Sequence, residues 1–136
     1  MDQIAVPLVS HDGGVMPGIF QFDRRARPCS LTLTWEAHEL RADAEDFFEC
    51  LCNIRRNLEL LRLRPKCYGA SRSAFPSGMC RGMARGLKVY RNQMGKRAFR
   101  DDLVHTFAVG DDVDPATVED QLQFHREWLA SLRVDH

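Results

Sequence analysis

The sequence predicts an α+β domain: a small, mostly antiparallel sheet with one long helix packed on it and a C-terminal amphipathic helix completing the core. Three observations carry that reading. Leu31, Leu33 and Trp35 alternate with Ser30, Thr32 and Thr34, the period of a half-buried strand. Phe47, Phe48, Leu51, Ile54, Leu58 and Leu61 recur at the three-to-four spacing of a helix with one apolar face. Near the C-terminus, Val118, Leu122, His125, Leu129 and Leu132 repeat that spacing, with Phe124 and Trp128 beside the stripe.

The elements follow in chain order. Ile4 to Val9 and Gly18 to Phe22 read as extended segments around the turn His11-Asp12-Gly13-Gly14. Pro7 and Pro17 would suit edge strands, because proline has no N–H to give a ladder. The strand Ser30 to Glu36 comes next. The long helix is expected from about Ala44 to Leu63, with Asp43 as N-cap, acids Glu45, Asp46 and Glu49 at its positive end and Arg55, Arg56, Arg62 and Arg64 at its negative end; Pro65 stops it. Lys66 to Ala70 is a candidate short strand. Phe75-Pro76-Ser77-Gly78 introduces a short helix capped by Ser77 and ending near Arg85, since interior glycines cost a helix about 1 kcal/mol each. Leu87 to Arg91 runs extended, and Met94-Gly95-Lys96 turns. Asp101 or Asp102 caps a single turn through Leu103, Val104 and Phe107, and Asp114-Pro115 supplies the cap and first residue of the last helix.

At 136 residues, 44% hydrophobic and 28% charged, the chain fits one globular domain spanning 1–136. It has no apolar run near the roughly 18 residues that span a bilayer, and Met1-Asp2-Gln3 does not open a signal peptide. It therefore reads as cytoplasmic, with no membrane partner. Cys29, Cys50, Cys52, Cys67 and Cys80 are odd in number and include no Cys-x-x-Cys, so reduced, buried thiols are expected rather than disulfides or zinc.

The zero net charge conceals a strong segregation. Residues 55–100 hold thirteen Lys/Arg and one acid, Glu59; residues 1–54 hold four basic and nine acidic side chains, and residues 101–136 two and nine. Either these blocks neutralise one another in the fold, or one of them forms a face that steers a charged partner.

Catalytic signals are thin. Cys67, Cys80 and Ser77 are possible nucleophiles with His105 or His125 as bases, but no recognised nucleophile motif frames them. His11, His38, His105, His125 and His136 are scattered without metal-ligand spacing, and Asp111, Asp112 and Asp114 lack the glycine and glutamate of a calcium loop. No enzyme, metal or cofactor is expected. The segment Ser71 to Met79, leading into a helix start with Arg72, Arg81, Arg85 and Lys88 nearby, suits an anion such as phosphate, or is simply a capped helix. Tyr68, Phe75 and Tyr90 could stack on bases, but the acidic flanks would repel nucleic acid and argue for a protein partner.

Cys67-Tyr68-Gly69-Ala70-Ser71-Arg72, the Phe75 to Met79 block, Gly86-Leu87-Lys88-Val89-Tyr90, Asp102-Leu103-Val104 and the closing Val118 to Leu132 helix resemble small proteins that accompany bacterial polymorphic toxins as immunity partners. The likeness covers residues 66–132, about half the chain. The family typically carries an acid at the position of His105, and Arg97 and Phe99 are also atypical. The resemblance implies a non-enzymatic protein that binds and neutralises one cognate toxin. In that case the acids Asp111, Asp112, Asp114, Glu119 and Asp120 would meet a basic toxin surface, whereas Arg81, Arg85 and Lys88 would suit an acidic one. The alternative is a nucleotide- or nucleic-acid-binding module using Arg72, Arg81, Arg85 and Lys88. The oligomeric state is open.

Overall fold

A curled antiparallel sheet of five strands forms one side of the molecule, in a computed structural model that describes residues 1–133; His136 lies outside the described residues. The strands are β1 (Asp2–Ser10), β2 (Val15–Phe22), β3 (Cys29–Trp35), β4 (His38–Ala44) and β5 (Leu63–Pro65), ordered β4-β3-β2-β1-β5. The β1–β2 hairpin closes at the expected glycine turn, where Gly13 has φ 90° and its N–H donates to the Ser10 carbonyl at 3.0 Å. Pro7 and Pro17 are not on edge strands as expected: they face each other between β1 and β2, both interior strands. The ladders on the far sides begin only past them, at Leu8 for β5 and Ile19 for β3, so neither missing N–H interrupts a pairing. Inward side chains Val6, Leu8, Phe20, Phe22, Leu31, Leu33 and Trp35 are all buried.

Strand β4 is the element the sequence conceals. It pairs with β3 from Cys29↔Ala44 to Trp35↔His38, and its outward residues Glu39, Arg41 and Asp43 make it a charged edge. It occupies the chain to Ala44, which displaces the start of the long helix, α1 (Phe47–Leu60). The cap is Asp46, not Asp43: its Oδ1 accepts the Glu49 N–H at 2.8 Å. The helix ends well before Pro65, because the chain reverses through Leu61 and Arg62 (φ 59°) to bring Leu63 beside Ser10 in β5.

α1 is buried on two faces. Phe47, Cys50, Leu51, Ile54 and Leu58 join the core against the five-stranded sheet, while Phe48 and Cys52 pack with Ala74 and Val89 on the other side. That second layer is a small antiparallel sheet of β6 (Ala74–Phe75), β7 (Lys88–Arg91) and β8 (Leu103–His105), ordered β6-β7-β8. Tyr68–Ala70 is a turn of 3-10 helix instead of the expected strand, since Gly69 fits where a Cβ would meet Thr106 at 2.5 Å. Leu103 to His105 is a strand instead of a helical turn; only Arg100–Asp102 winds, with Asp102 accepting the Phe99 N–H at 2.8 Å. Between β6 and β7, α2 (Gly78–Gly82) is capped by Ser77, whose Oγ accepts the Cys80 N–H at 3.1 Å, as expected.

The last helix, α3 (Val118–Ser131), starts later than expected, at Thr117, whose hydroxyl accepts the Asp120 N–H at 3.1 Å. Asp114 and Pro115 are instead an extended strap: the Asp114 N–H donates to Ser71 Oγ at 2.9 Å, and Pro115 bridges Ser71. The docked face is Val118, Gln121, His125 and Trp128, rotated from the stripe expected of the leucines, and Leu129 is exposed. Rotation follows from one polar contact. Gln121 and Arg55 of α1, each 1% exposed, meet in the interior, Arg55 Nη1 donating to Gln121 Oε1 at 2.6 Å. Arg55 is thus a core residue, not a helix-end cation. Among the described residues no helix is long and apolar enough to cross a membrane.

Candidate functional site

The acids expected to meet a partner come together on one ledge. It is built by the 110–116 loop and the first turn of α3, where the helix N-terminus favours negative charge. Asp112 is fixed by two neighbours: Tyr68 donates its hydroxyl to Oδ1 at 2.6 Å, and Arg91 Nη1 lies 3.4 Å from Oδ2. The Tyr68 hydrogen bond, helped by Arg91, holds the Asp112 carboxyl below its ordinary range. Arg72 reaches Asp114 at 3.1 Å and Asp120 at 3.7 Å. Asp111 and Glu119 are exposed and form no ion pair among the described residues.

Of the cations of the anion-binding reading, Arg81 and Arg85 line one cleft, and Arg72 and Lys88 lie outside it. Arg72 serves the acidic ledge. Arg81 lies across the N-terminus of α1, 3.2 Å from Asp46 and 3.7 Å from Glu49. Arg85 turns toward the 24–29 loop, donating to the carbonyls of Arg24 and Ala26 and to Cys29 Sγ. Lys88 is exposed on β7, opposite His105 of β8. That open cleft, about 750 Å³, is lined by Arg27, Arg81 and Arg85 but by Glu45, Asp46 and Glu49 as well, so its charge is mixed.

A second cleft, of about 480 Å³, lies where β6 and β7 meet the C-terminal half of α3. Phe75 and Tyr90, cross-strand neighbours, line it with Asn92, Arg97, His125 and Trp128. His125 stacks on Phe75 with centroids 3.9 Å apart and planes at 13°, and Trp128 follows at 5.8 Å from His125. Trp128 is anchored by its indole N–H, which donates to the Lys96 carbonyl at 2.9 Å. Burial, with Arg81 nearby, lowers the His125 pKa, so this ring is neutral at pH 7. Sequence reasoning had Phe75 and Tyr90 as stacking candidates and His125 on a helix stripe, but not their convergence with Asn92, Arg97 and Trp128.

No protein-family model matches this chain, and no curated protein matches it either.

The possible nucleophiles are embedded. Cys67 is fully buried and burial pushes its thiol up to about 12, far from the thiolate needed for attack. Cys50 is likewise pushed up to about 12. Ser77 is occupied as the α2 cap, and Cys80 is buried. His105 accepts the Phe107 N–H at 3.1 Å through Nδ1, and burial, with Lys88 and Arg24 nearby, lowers its pKa. Neither His105 nor His125 hydrogen-bonds to a cysteine or serine among the described residues. Those residues also contain no group of three His, Cys, Asp or Glu placed to hold a metal ion.

Proposed function

We propose that this protein is a non-enzymatic immunity protein that binds and neutralises a cognate bacterial toxin domain in the cytoplasm of the producing cell. The observation that carries the reading is the acidic ledge: Asp111, Asp112, Asp114, Glu119 and Asp120 are all exposed, Arg72 links Asp114 to Asp120, and among the described residues only Arg72 and Arg91 form ion pairs with them. Such a surface is net negative and held on a folded scaffold, the form that accelerates encounter with a basic partner and discriminates against related ones. The resemblance over residues 66–132 supports the same reading, because the ledge and the segments that pair with it fall in that stretch.

The test is co-expression with the C-terminal domain of the protein encoded by the adjacent gene, the place where the cognate toxin of such a protein is expected. Rescue of growth and co-elution of a complex are expected; continued lethality with no complex would end the proposal. Within that complex, the charge reversal Asp111→Lys with Asp112→Lys should lower the association rate by about tenfold at low salt and leave the dissociation rate nearly unchanged. Unchanged association would remove the ledge from the interface.

A further inference from the structure

The aromatic cleft between β7 and α3 has the attributes of a small-molecule site, separate from the acidic ledge. It is lined by a stepped run of rings that starts in the core: Phe48, behind the cleft, meets Phe75 edge-on at 5.2 Å, Phe75 stacks on His125, and His125 is followed by Trp128. A run of faces ending at an open cleft offers its last members to a further planar ring. Two polar atoms there are unsatisfied. Asn92 is 6% exposed and lines the cleft, yet its side-chain Oδ1 has no hydrogen-bond partner, and His125 Nδ1 is buried in the same condition. Leaving a buried polar atom unpaired costs about 1–3 kcal/mol, and folded proteins seldom tolerate it without a purpose. The third attribute is charge. Arg97, exposed at the rim, forms no ion pair among the described residues, unlike Arg72, Arg81 and Arg91. At about 480 Å³ the cleft lies within the ordinary size range of ligand sites, roughly 300–1,000 Å³.

We propose that this cleft binds a small planar heteroaromatic molecule that carries an anionic group. The ring stacks on Trp128 at the open end of the run, its polar edge lies over the Asn92 carboxamide in the cleft wall, and its anionic group meets the Arg97 guanidinium. The carboxamide's NH2 is a donor, so a ring edge that carries an acceptor suits it. Arg97 with Ser77 on the rim suits phosphate or carboxylate equally. The proposal does not depend on the toxin reading, since none of its residues belongs to the acidic ledge.

The test uses the full chain and three probes: AMP, indole-3-acetate and, as the uncharged control, adenosine. Trp128 reports binding directly, and the chain's other tryptophan, Trp35, is buried in β3 and can be replaced by Phe. Saturable 1:1 quenching and matching calorimetry are expected with a Kd on the order of 0.1–1 mM for AMP or indole-3-acetate. The better of the two identifies phosphate or carboxylate as the anionic group. Arg97→Glu, a surface change, should weaken the anionic probe about tenfold and leave adenosine unchanged. Absence of saturable binding by both anionic probes up to about 10 mM, or Arg97→Glu without effect on the anionic probe, would overturn the proposal.

Discussion

Replacing Gln121 by Leu should unfold a large part of the stability of this protein while adding no charge and changing little volume. Gln121 Oε1 accepts from Arg55 Nη1 at 2.6 Å, and Nε2 faces the carbonyls of Ala74, Gly69 and Ser71 at 2.7, 2.9 and 3.0 Å. Arg55 is otherwise held by the carbonyls of Ala116 at 2.9 Å and Gly69 at 3.3 Å, with Nε unpartnered and no carboxylate in hydrogen-bond reach among the described residues. A hydrogen bond to a charged group contributes about 1.5–3 kcal/mol, and a buried carbonyl left without its donor costs about 1–3 kcal/mol. With Ala74 O the most exposed to that loss, Gln121→Leu should cost about 3–5 kcal/mol, a third or more of what a typical domain has. Arg55→Met alone should cost a similar amount, because it strands Gln121 Oε1 and Ala116 O. The double variant leaves neither Arg55 nor Gln121 without the other, although the carbonyls of Ala74 and Ala116 still lack their donors, so its loss falls short of the sum of the singles. Urea unfolding of the four proteins, with unchanged m-values, closes the cycle; the double variant should lose about 2 kcal/mol less than the two singles combined. A Gln121→Leu cost below about 1 kcal/mol, or additive losses, would refute the account of this cluster as the link between α1, the 68–74 segment and α3.

Other consequences are as direct. Asp46→Ala removes the α1 cap and the Arg81 partner and should cost about 1–2 kcal/mol, with Asp46→Asn recovering most of it because a carboxamide still caps; equal losses in urea titrations would contradict this. Gly86 sits at φ +77° with its missing Cβ 2.6 Å from the Phe48 amide nitrogen, so Gly86→Ala should cost at least about 2 kcal/mol, and a neutral melting temperature would show that the α1 start yields to it. His105 and His125 have pKa values lowered by burial, so the stability they contribute is complete above the unfolded-state value of about 6.5 and falls as pH drops through that value toward the folded-state one. Urea midpoints should therefore decline between about pH 7 and pH 5, before the carboxylates titrate, and the decline should shrink in His125→Phe; a flat profile would contradict the burial of both rings.

Strand β3, the hairpin and the Ser77 cap were legible because each depends on residues within a few positions of one another. The start of α1 was not, since Asp43 and Asp46 are both good caps; the choice is made by Ala44 pairing with Cys29, a contact outside any helical window. Strand β4 escaped because its inward residues are Leu40, Ala42 and Ala44, a weak alternation beneath three outward charges. Arg55 and Gln121 carry the letters of surface residues, and their burial depends on a partner 66 positions away. The same contrast holds for the sites. The acidic ledge lies in one run of sequence and was visible in it, whereas the cleft gathers Phe75, Tyr90, Asn92, Arg97, His125 and Trp128 from separate elements.

The segregated charge is resolved by the fold in a way that bears on function. Cations of the central block reach acids of both ends: Arg81 to Asp46 and Glu49, Arg72 to Asp114 and Asp120, and Arg91 to Asp112. Apart from the partly buried Arg81–Asp46 pair, these are exposed pairs that contribute only about 0–1 kcal/mol each, so their effect is to select one arrangement of the segments more than to stabilise it. Two arginines among five ledge acids leave Asp111 and Glu119 uncompensated. Salt should therefore separate the two roles. Raising ionic strength from about 0.05 to 0.5 M shortens the screening length severalfold, which should slow association with a basic partner by tenfold or more. The urea midpoint should barely move over the same range, because the stability rests on the apolar layers around α1 and on the buried Arg55–Gln121 contact. A midpoint that collapses with salt would show that the surface pairs hold the segments together, and would turn the charge pattern into a folding device with little left for a partner.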